Sequence, residues 1–187
     1  NNSLDPVTCK LMGPCLYVPG EKQAYIPINH VDPMTRELLP NQLTEEDCRQ
    51  QFQRLKDNNV FIIMHNGKFD YEVIKTTCGI ELPPDWDTMT AARLLDENEL
   101  AGLKMQYITK IDPSQSKYDI EALFEIIQYA IVDPYVFALY AATDSMMTFK
   151  LYEYQKPLFE LPENERVYCI FKNIEMPIVV VTAEMEL

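Results

Sequence analysis

The chain has 187 residues, and its hydrophobic content of 47% is enough to form the core of one domain. Its formal net charge of −13 argues against a protein that coats duplex DNA by neutralising phosphates. The charge does not exclude a nuclease, because a carboxylate site attracts phosphate once divalent metals occupy it.

The sequence also excludes several other classes. No apolar run approaches the roughly 20 residues that a membrane span needs, and no signal-peptide pattern opens the chain. The cysteines have no CxxC spacing, and the two histidines do not complete a zinc pattern with them, which indicates reduced thiols in a cytoplasmic protein. The five cysteines are Cys9, Cys15, Cys48, Cys78 and Cys169.

The first part of the chain predicts a hairpin, a loop and a helix. Lys10–Val18 and Gln23–Asn29 are extended runs separated by Pro19-Gly20, which favours an antiparallel hairpin. His30–Leu43 holds prolines and polar residues and is predicted to be a surface loop. A helix should follow Thr44, because Thr44 and the residue three positions later form a capping box.

The middle of the chain predicts a β-α-β unit. Val60–Met64 is a continuous apolar run, as expected of a strand buried on both faces. A helix should follow it and end at Cys78, with Gly79 just beyond its last residue. Leu82–Trp86 then returns the chain to the sheet.

The remainder is predicted to be mainly helical, which makes the fold class α/β. Asp87-Thr88 caps a helix that runs to about Asp96. Further helices are predicted at Leu103–Ile108, Asp119–Ala130, Pro134–Tyr154 and Glu163–Leu187.

A first motif, His65-Asn66-Gly67-Lys68-Phe69-Asp70, lies where the buried strand passes into a helix. Ligand sites of open α/β sheets gather at the carboxyl ends of strands, so Asp70 is a candidate oxygen ligand for Mg²⁺. An isolated aspartate at this position is more often a residue that stabilises the first helical turn through the macrodipole.

A second motif, Tyr140-Ala141-Ala142-Thr143-Asp144, falls inside a predicted helix. The i,i+4 spacing places the phenol of Tyr140 and the carboxylate of Asp144 on one face, and the small residues between them allow another surface to approach closely. On its own this pair would usually be an ordinary surface pair.

Together and in this order, the two motifs resemble the second and third signatures of the DEDD exonucleases, and the tyrosine places the chain with the DEDDy subgroup. Ala24-Tyr25-Ile26-Pro27, Asp87-Thr88-Met89 and Asn173-Ile174-Glu175-Met176-Pro177 are similar to segments of family A DNA polymerases. The resemblance covers essentially the whole chain. It implies a ribonuclease H-like fold, with a mixed β-sheet flanked by helices, and a proofreading exonuclease that hydrolyses the 3′-terminal phosphodiester of single-stranded or frayed DNA.

The family's first motif, Asp-x-Glu, has no match in this sequence. Asn1-Asn2-Ser3-Leu4-Asp5 resembles the residues that directly follow that motif, so we expect the first strand to be missing from the chain as given. The exonuclease domain is predicted at residues 1–172, and residues 173–187 are predicted to begin the connection to a polymerase domain of the same polypeptide.

The resemblance also implies roles for individual residues. Asp70 and Asp144, with the absent Asp and Glu, would hold two Mg²⁺ or Mn²⁺ ions, and Tyr140 would orient the attacking water. Contacts to the DNA 3′ end are expected from Leu4, His65, Asn66 and Tyr118. Core packing is the alternative role for Leu4 and for Tyr118, and for Tyr118 the two roles are equally compatible with the sequence.

Two alternatives remain open at this point. A ribonuclease D-like exonuclease shares the Tyr-x-x-x-Asp signature, although the Asn-Ile-Glu-Met-Pro segment argues against it. A catalytically inactive exonuclease fold could serve only as a scaffold beside a polymerase domain, although the presence of Asp70, Tyr140 and Asp144 argues against that.

Overall fold

The computed structural model describes Asp5, residues 8–114 and residues 133–187, with backbone alone for Leu139 and Tyr140. These residues contain short strands and seven α-helices, which loops connect. A 3-10 turn and a π turn join the last three helices. In chain order they are β1 (Cys15–Leu16), β2 (Ala24–Tyr25), α1 (Glu45–Asp57), β3 (Ile63–Met64), α2 (Gly67–Cys78), β4 (Trp86–Asp87), α3 (Thr88–Leu95), α4 (Leu103–Lys110), α5 (Pro134–Phe159), a 3-10 turn (Pro162–Asn164), α6 (Glu165–Ile170), a π turn (Phe171–Glu175) and α7 (Met176–Glu186).

The predicted hairpin is confirmed. Strand β1 pairs antiparallel with β2, and Cys15 lies opposite Tyr25. Backbone bonds extend the pairing beyond the two short strands, since the N–H of Ile28 donates to the carbonyl of Met12 at 3.0 Å. The hairpin therefore presents Cys15 next to a tyrosine on its partner strand.

Helix α1 begins as the sequence predicts. The hydroxyl of Thr44 accepts a bond from the N–H of Asp47, and the Asp47 carboxylate accepts one from the N–H of Thr44. Cys48 and Phe52, four residues apart, are buried on the inner face. The local capping signal and the helical spacing of apolar residues were both correct.

The prediction of a strand over residues 60–64 is wrong in its first half. The structure has strand only at Ile63–Met64, and Val60 and Phe61 are 42% and 54% exposed. Val60 belongs to the turn that closes α1, because its N–H donates to the carbonyl of Leu55 and Asn59 before it has a φ of 50°. The apolar run thus contains a helix-ending turn as well as a strand.

Strands β3 and β4 pair in parallel, with Met64 opposite Asp87, and α2 connects them as the predicted β-α-β unit. Gly79 ends α2 with a φ of 68°, as predicted. Within the described residues the strands form two separate two-stranded sheets, β1-β2 and β3-β4. The fold is α/β, and a single mixed sheet of the ribonuclease H type stays a prediction.

The described helices after residue 87 lie where the sequence predicts helices. Helix α5 runs five residues beyond its predicted end at Tyr154, to Phe159. The helix predicted at residues 119–130 lies outside the described residues. Helix α6, the π turn and α7 form a nearly continuous helical rod, where the sequence predicts a single carboxyl-terminal helix. No helix in the described part of the chain is long and apolar enough to cross a membrane.

Hydrophobic clusters hold these elements together, and besides a small one at Phe137 and Ala141 two larger ones stand out among the described residues. The first joins the amino-terminal segment, α1 and α2, and it buries three of the free cysteines (Cys9, Cys48 and Cys78). The second surrounds Trp86, whose ring lies 4.6 Å from that of Phe171 and 5.5 Å from that of Phe159. Trp86 therefore links β4 to the carboxyl-terminal rod and to the end of α5.

Candidate active site

The turn between β3 and α2 has a backbone that few residues adopt. Asn66 has φ 62° and ψ 48°, the left-handed conformation that asparagine tolerates better than most residues. A Cβ atom on Gly67 would lie 2.8 Å from Cγ of Pro84, so the close approach of the chain requires glycine there. The Asn-Gly pair sets the start of α2.

Asp87 fixes this turn from the neighbouring strand. Its buried carboxylate accepts bonds from the N–H groups of Asn66 at 3.1 Å and Gly67 at 2.8 Å. The same carboxylate caps α3, accepting from the N–H groups of Met89 and Thr90. One side chain therefore locks the amino-terminal ends of α2 and α3 together, which gives the first turn of α2 a rigid base.

Asp70 lies in the first turn of α2, on this base. The residue as a whole is only half-buried. Protein atoms nevertheless surround its carboxyl group, and the resulting loss of hydration raises its pKa to about 7. The negative charge of Asp87 raises the pKa further. A carboxylate in this position is poorly stabilised without a cation, which is a common property of functional sites.

Asp144 lies in the middle of α5, and Tyr140 lies one turn before it in the same helix, as the spacing predicts. Ala141 is buried against Cys15 and Tyr25 of the hairpin. The small side chain lets the helix pack directly on the hairpin, as predicted for the residues between Tyr140 and Asp144.

The two aspartates act on the same thiol. Burial raises the pKa of Cys15 to about 12, and the charges of Asp144 and Asp70 raise it as well. Both carboxylates, Asp70 from α2 and Asp144 from α5, therefore lie within electrostatic range of one side chain of β1.

His65 is fixed by protein groups at the end of β3. Its Nδ1 lies 2.9 Å from the hydroxyl of Thr88, and the backbone of Ala101 also bonds the ring. Burial lowers the pKa of His65 to about 4, while the charge of Asp87 opposes this effect. At neutral pH the imidazole is therefore uncharged.

The structure describes only some of the other side chains that are predicted to contact DNA or the attacking water. The Asn66 side chain is exposed and does not cap α2. Leu4 and Tyr118 lie outside the described residues, and of Tyr140 the structure describes only the helical backbone.

Comparisons with known proteins identify the family of this chain. A sequence model of the 3′-5′ exonuclease family matches residues 22–160, which include both aspartates. The chain belongs to the 3′-5′ exonuclease family. It is 30% identical over 186 residues to DNA polymerase I of Borreliella burgdorferi, with 99% of this chain and 19% of that protein aligned. It is 33% identical over 144 residues to DNA polymerase I of Treponema pallidum, covering 73% of this chain and 14% of that protein. A DNA polymerase of Bacillus phage SP01 is 30% identical over 134 residues, covering 66% of this chain and 14% of that protein.

This exonuclease-family chain thus spans about a fifth of the length of the first of these relatives. Among its described residues no three carboxylates, thiols or imidazoles form a group able to hold a metal. Asp70 and Asp144 nevertheless supply the oxygen donors that Mg²⁺ and Mn²⁺ prefer. The raised pKa of Asp70 fits the same interpretation, because a bound cation would stabilise its charged form.

Sequence reasoning missed two features of this exonuclease-family site. The sequence indicates only that Cys15 is a reduced thiol, and nothing in it shows that the charges of both aspartates raise its pKa. Asp87 was predicted to cap α3, but its bonds to the turn at Asn66 and Gly67 were not foreseen. No local pattern signals a contact between positions twenty residues apart.

Proposed function

We propose that the chain is a proofreading exonuclease domain that hydrolyses the 3′-terminal phosphodiester of single-stranded or frayed DNA. The observation that carries the proposal is the match of the 3′-5′ exonuclease family over residues 22–160, which contain Asp70 on α2 and Asp144 on α5. The relatives whose names are DNA polymerase I also support it. We also propose that residues 173–187 lead toward a polymerase domain of the same polypeptide.

We assign Asp70 and Asp144 as ligands of a divalent cation, Mg²⁺ or Mn²⁺. In the complete site two ions would be held, with an Asp-x-Glu pair contributing the other two carboxylates. Bound there, such ions would lower the pKa of water and neutralise charge on the attacking and leaving oxygens. The rigid base under α2 fits this role, since ligand geometry decides how well a site holds Mg²⁺.

We assign the remaining residues to the attacking water and to the DNA strand. Tyr140 would orient the water with its phenol, one helical turn from Asp144. Asn66 would hydrogen-bond the sugar-phosphate, which its exposed side chain permits. For His65, whose ring is bonded to Thr88 and Ala101, contact through the face of the ring fits best.

The decisive experiment measures release of the 3′ nucleotide from single-stranded DNA by the polymerase that contains this chain. We expect Asp144→Asn to lower the single-turnover rate in Mg²⁺ by at least about 10³-fold, because the substitution removes a ligand charge. Glu153→Gln is the matched control, since Glu153 lies on the same helix but pairs with Lys150 on the surface at 2.7 Å. Equal rates for Asp144→Asn and wild type would refute the assignment.

The same assay separates the alternative functions. A wild-type protein that releases no nucleotide in Mg²⁺ or Mn²⁺ would be a scaffold with an exonuclease fold. Preferential degradation of an RNA 3′ end over the matching DNA would favour the ribonuclease D-like alternative. We expect faster cleavage of DNA, because DNA polymerase relatives align over nearly the whole chain.

A further inference from the structure

The carboxyl-terminal helix α7 packs along α2, the helix that carries Asp70. Val179 and Ala183 form its buried face, with Ala183 fully buried. Polar side chains flank this contact and bind the two helices to each other at two points. The contact therefore combines close packing with directional bonds, which together restrict rotation of α2 about its own axis.

The first point of attachment is Glu184. Its carboxylate accepts a hydrogen bond of 2.6 Å from the hydroxyl of Tyr71, a residue that is 1% exposed. It also accepts two bonds from the Lys75 ammonium, at 2.5 and 2.6 Å. Glu184 thus joins two successive turns of α2, and the bond to Tyr71 holds a ring that is itself fixed by burial.

The second point of attachment is one turn nearer the start of α2. The Lys68 ammonium lies 2.5 Å from the carboxylate of Glu186 and 3.6 Å from that of Glu72. Glu72 is 1% exposed, so its charge depends on this lysine. Lys68 lies two residues before Asp70, which brings the second attachment into the turn that carries the predicted ligand.

The attached residues and Asp70 lie on different sides of α2. An α-helix turns by about 100° per residue, so the centre of Lys68, Tyr71, Glu72 and Lys75 lies roughly 150° around the axis from Asp70. Helix α7 therefore packs against the side of α2 that lies away from Asp70. A rotation of α2 that α7 normally prevents would displace the Asp70 carboxyl.

From this arrangement we propose that Glu184 and Glu186 of α7 are positioning residues for Asp70. They hold α2 in the rotation that keeps the Asp70 carboxylate in position for the proposed cation. This inference rests on the proposed exonuclease function and extends it to a helix outside the two motifs.

Three variants test the proposal in the polymerase that contains this chain. Tyr71→Phe removes one hydroxyl and keeps the buried ring, and Glu184→Ala removes the whole first attachment. Glu81→Gln is the matched control, because Glu81 also pairs with Lys75, at 3.2 Å, but does not lie on α7. The readouts are exonuclease kcat and KM across a Mg²⁺ titration, Mn²⁺ binding by calorimetry without DNA, and the urea midpoint.

We expect Tyr71→Phe to lower kcat by about 3- to 10-fold at limiting Mg²⁺ and Glu184→Ala by more, because small displacements of a positioned group reduce rates strongly. The KM for DNA should stay unchanged. Added Mg²⁺ should restore much of the rate, and Mn²⁺ affinity should fall in parallel, whereas Glu81→Gln should match wild type in all three readouts.

A lower urea midpoint with wild-type kcat and Mn²⁺ affinity would overturn the inference, because α7 would then contribute stability alone. Equal losses in Glu81→Gln would also overturn it, since the effect would arise from Lys75 and not from α7. A wild-type protein that neither cleaves DNA nor binds Mn²⁺ would instead refute the proposed function on which the inference rests.

Discussion

Replacing Asp70 by asparagine should stabilise the metal-free protein at neutral and alkaline pH. The pKa of Asp70 is raised from its ordinary value of 3.8 to about 7, mainly because burial removes hydration from the charged form. One unit of pKa shift corresponds to about 1.4 kcal/mol, which sets an upper bound of about 4 kcal/mol for the penalty. Because Asp70 keeps some exposure, we expect a gain of about 1–3 kcal/mol for the neutral, isosteric Asp70→Asn at pH 8.

The effect of Asp70→Asn on the free energy of unfolding depends on pH. Well below pH 3.8 the carboxyl is protonated in both the folded and the unfolded chain, so Asp70→Asn should match wild type. As pH rises from about 4 to about 7, the wild-type protein loses stability, because the unfolded chain ionises this carboxyl while the folded state keeps it protonated. Above about pH 7 the loss is complete, and the variant has no such group.

The assay is urea unfolding in EDTA at several pH values, with Glu153→Gln as the surface control. Added Mg²⁺ should reduce the difference, since an ion that binds only the folded wild-type protein stabilises it by mass action. An Asp70→Asn variant that is equally stable or less stable at pH 8 would refute the reasoning. Such a result would show that the Asp70 carboxylate stabilises the first turn of α2.

The remaining predictions concern three other side chains. Asp87→Asn should cost about 1–3 kcal/mol in urea unfolding, because an amide oxygen can still cap α3 while the N–H of Gly67 loses its acceptor; wild-type stability of this variant would mean that the bond to Gly67 is unimportant. Asp87→Ala should cost more, because it also removes the cap on α3, and equal losses in the two variants would mean that this cap contributes nothing. Tyr140→Phe should lower the single-turnover rate by about 10²-fold or less with Mg²⁺ dependence unchanged, and a loss cured by more Mg²⁺ would assign Tyr140 to the metal site. His65 has its pKa lowered to about 4, so the folded state should lose stability as pH falls from about 6.5 to 4. In an Asp70→Asn background, which removes the opposing titration, His65→Gln should flatten that slope, and an unchanged slope would contradict the prediction.

The sequence predicted helix ends correctly where residues close in the chain determine them. The capping box at Thr44 and the glycine after Cys78 each act within a few residues, so the bounds of α1 and α2 were readable. The run at residues 60–64 was misread because its apolar character does not distinguish a helix-ending turn from a strand. Only the bond from Val60 to Leu55 decides that question.

The candidate site was predictable in its residue types but not in its support. Asp70 and Asp144 were named from two motifs some seventy residues apart. The groups that bond to α2, Asp87 at its first turn and Glu184 on α7, reach it across 20 and 109 residues of chain. Such contacts depend on tertiary packing, which the order of residues in one sequence does not reveal.

The π turn at Phe171–Glu175 sets the phase of α7. In a uniform α-helix, Phe171 and Val179 would differ by roughly 80° around the axis. A π turn closes over one more residue than an α turn and brings the two side chains to within roughly 20° of each other. Phe171, Val179 and Ala183 therefore continue one buried face from Trp86 to α2. Removing one residue from this turn would leave that face aligned, whereas removing one from within α7 would rotate Glu184 away from Tyr71.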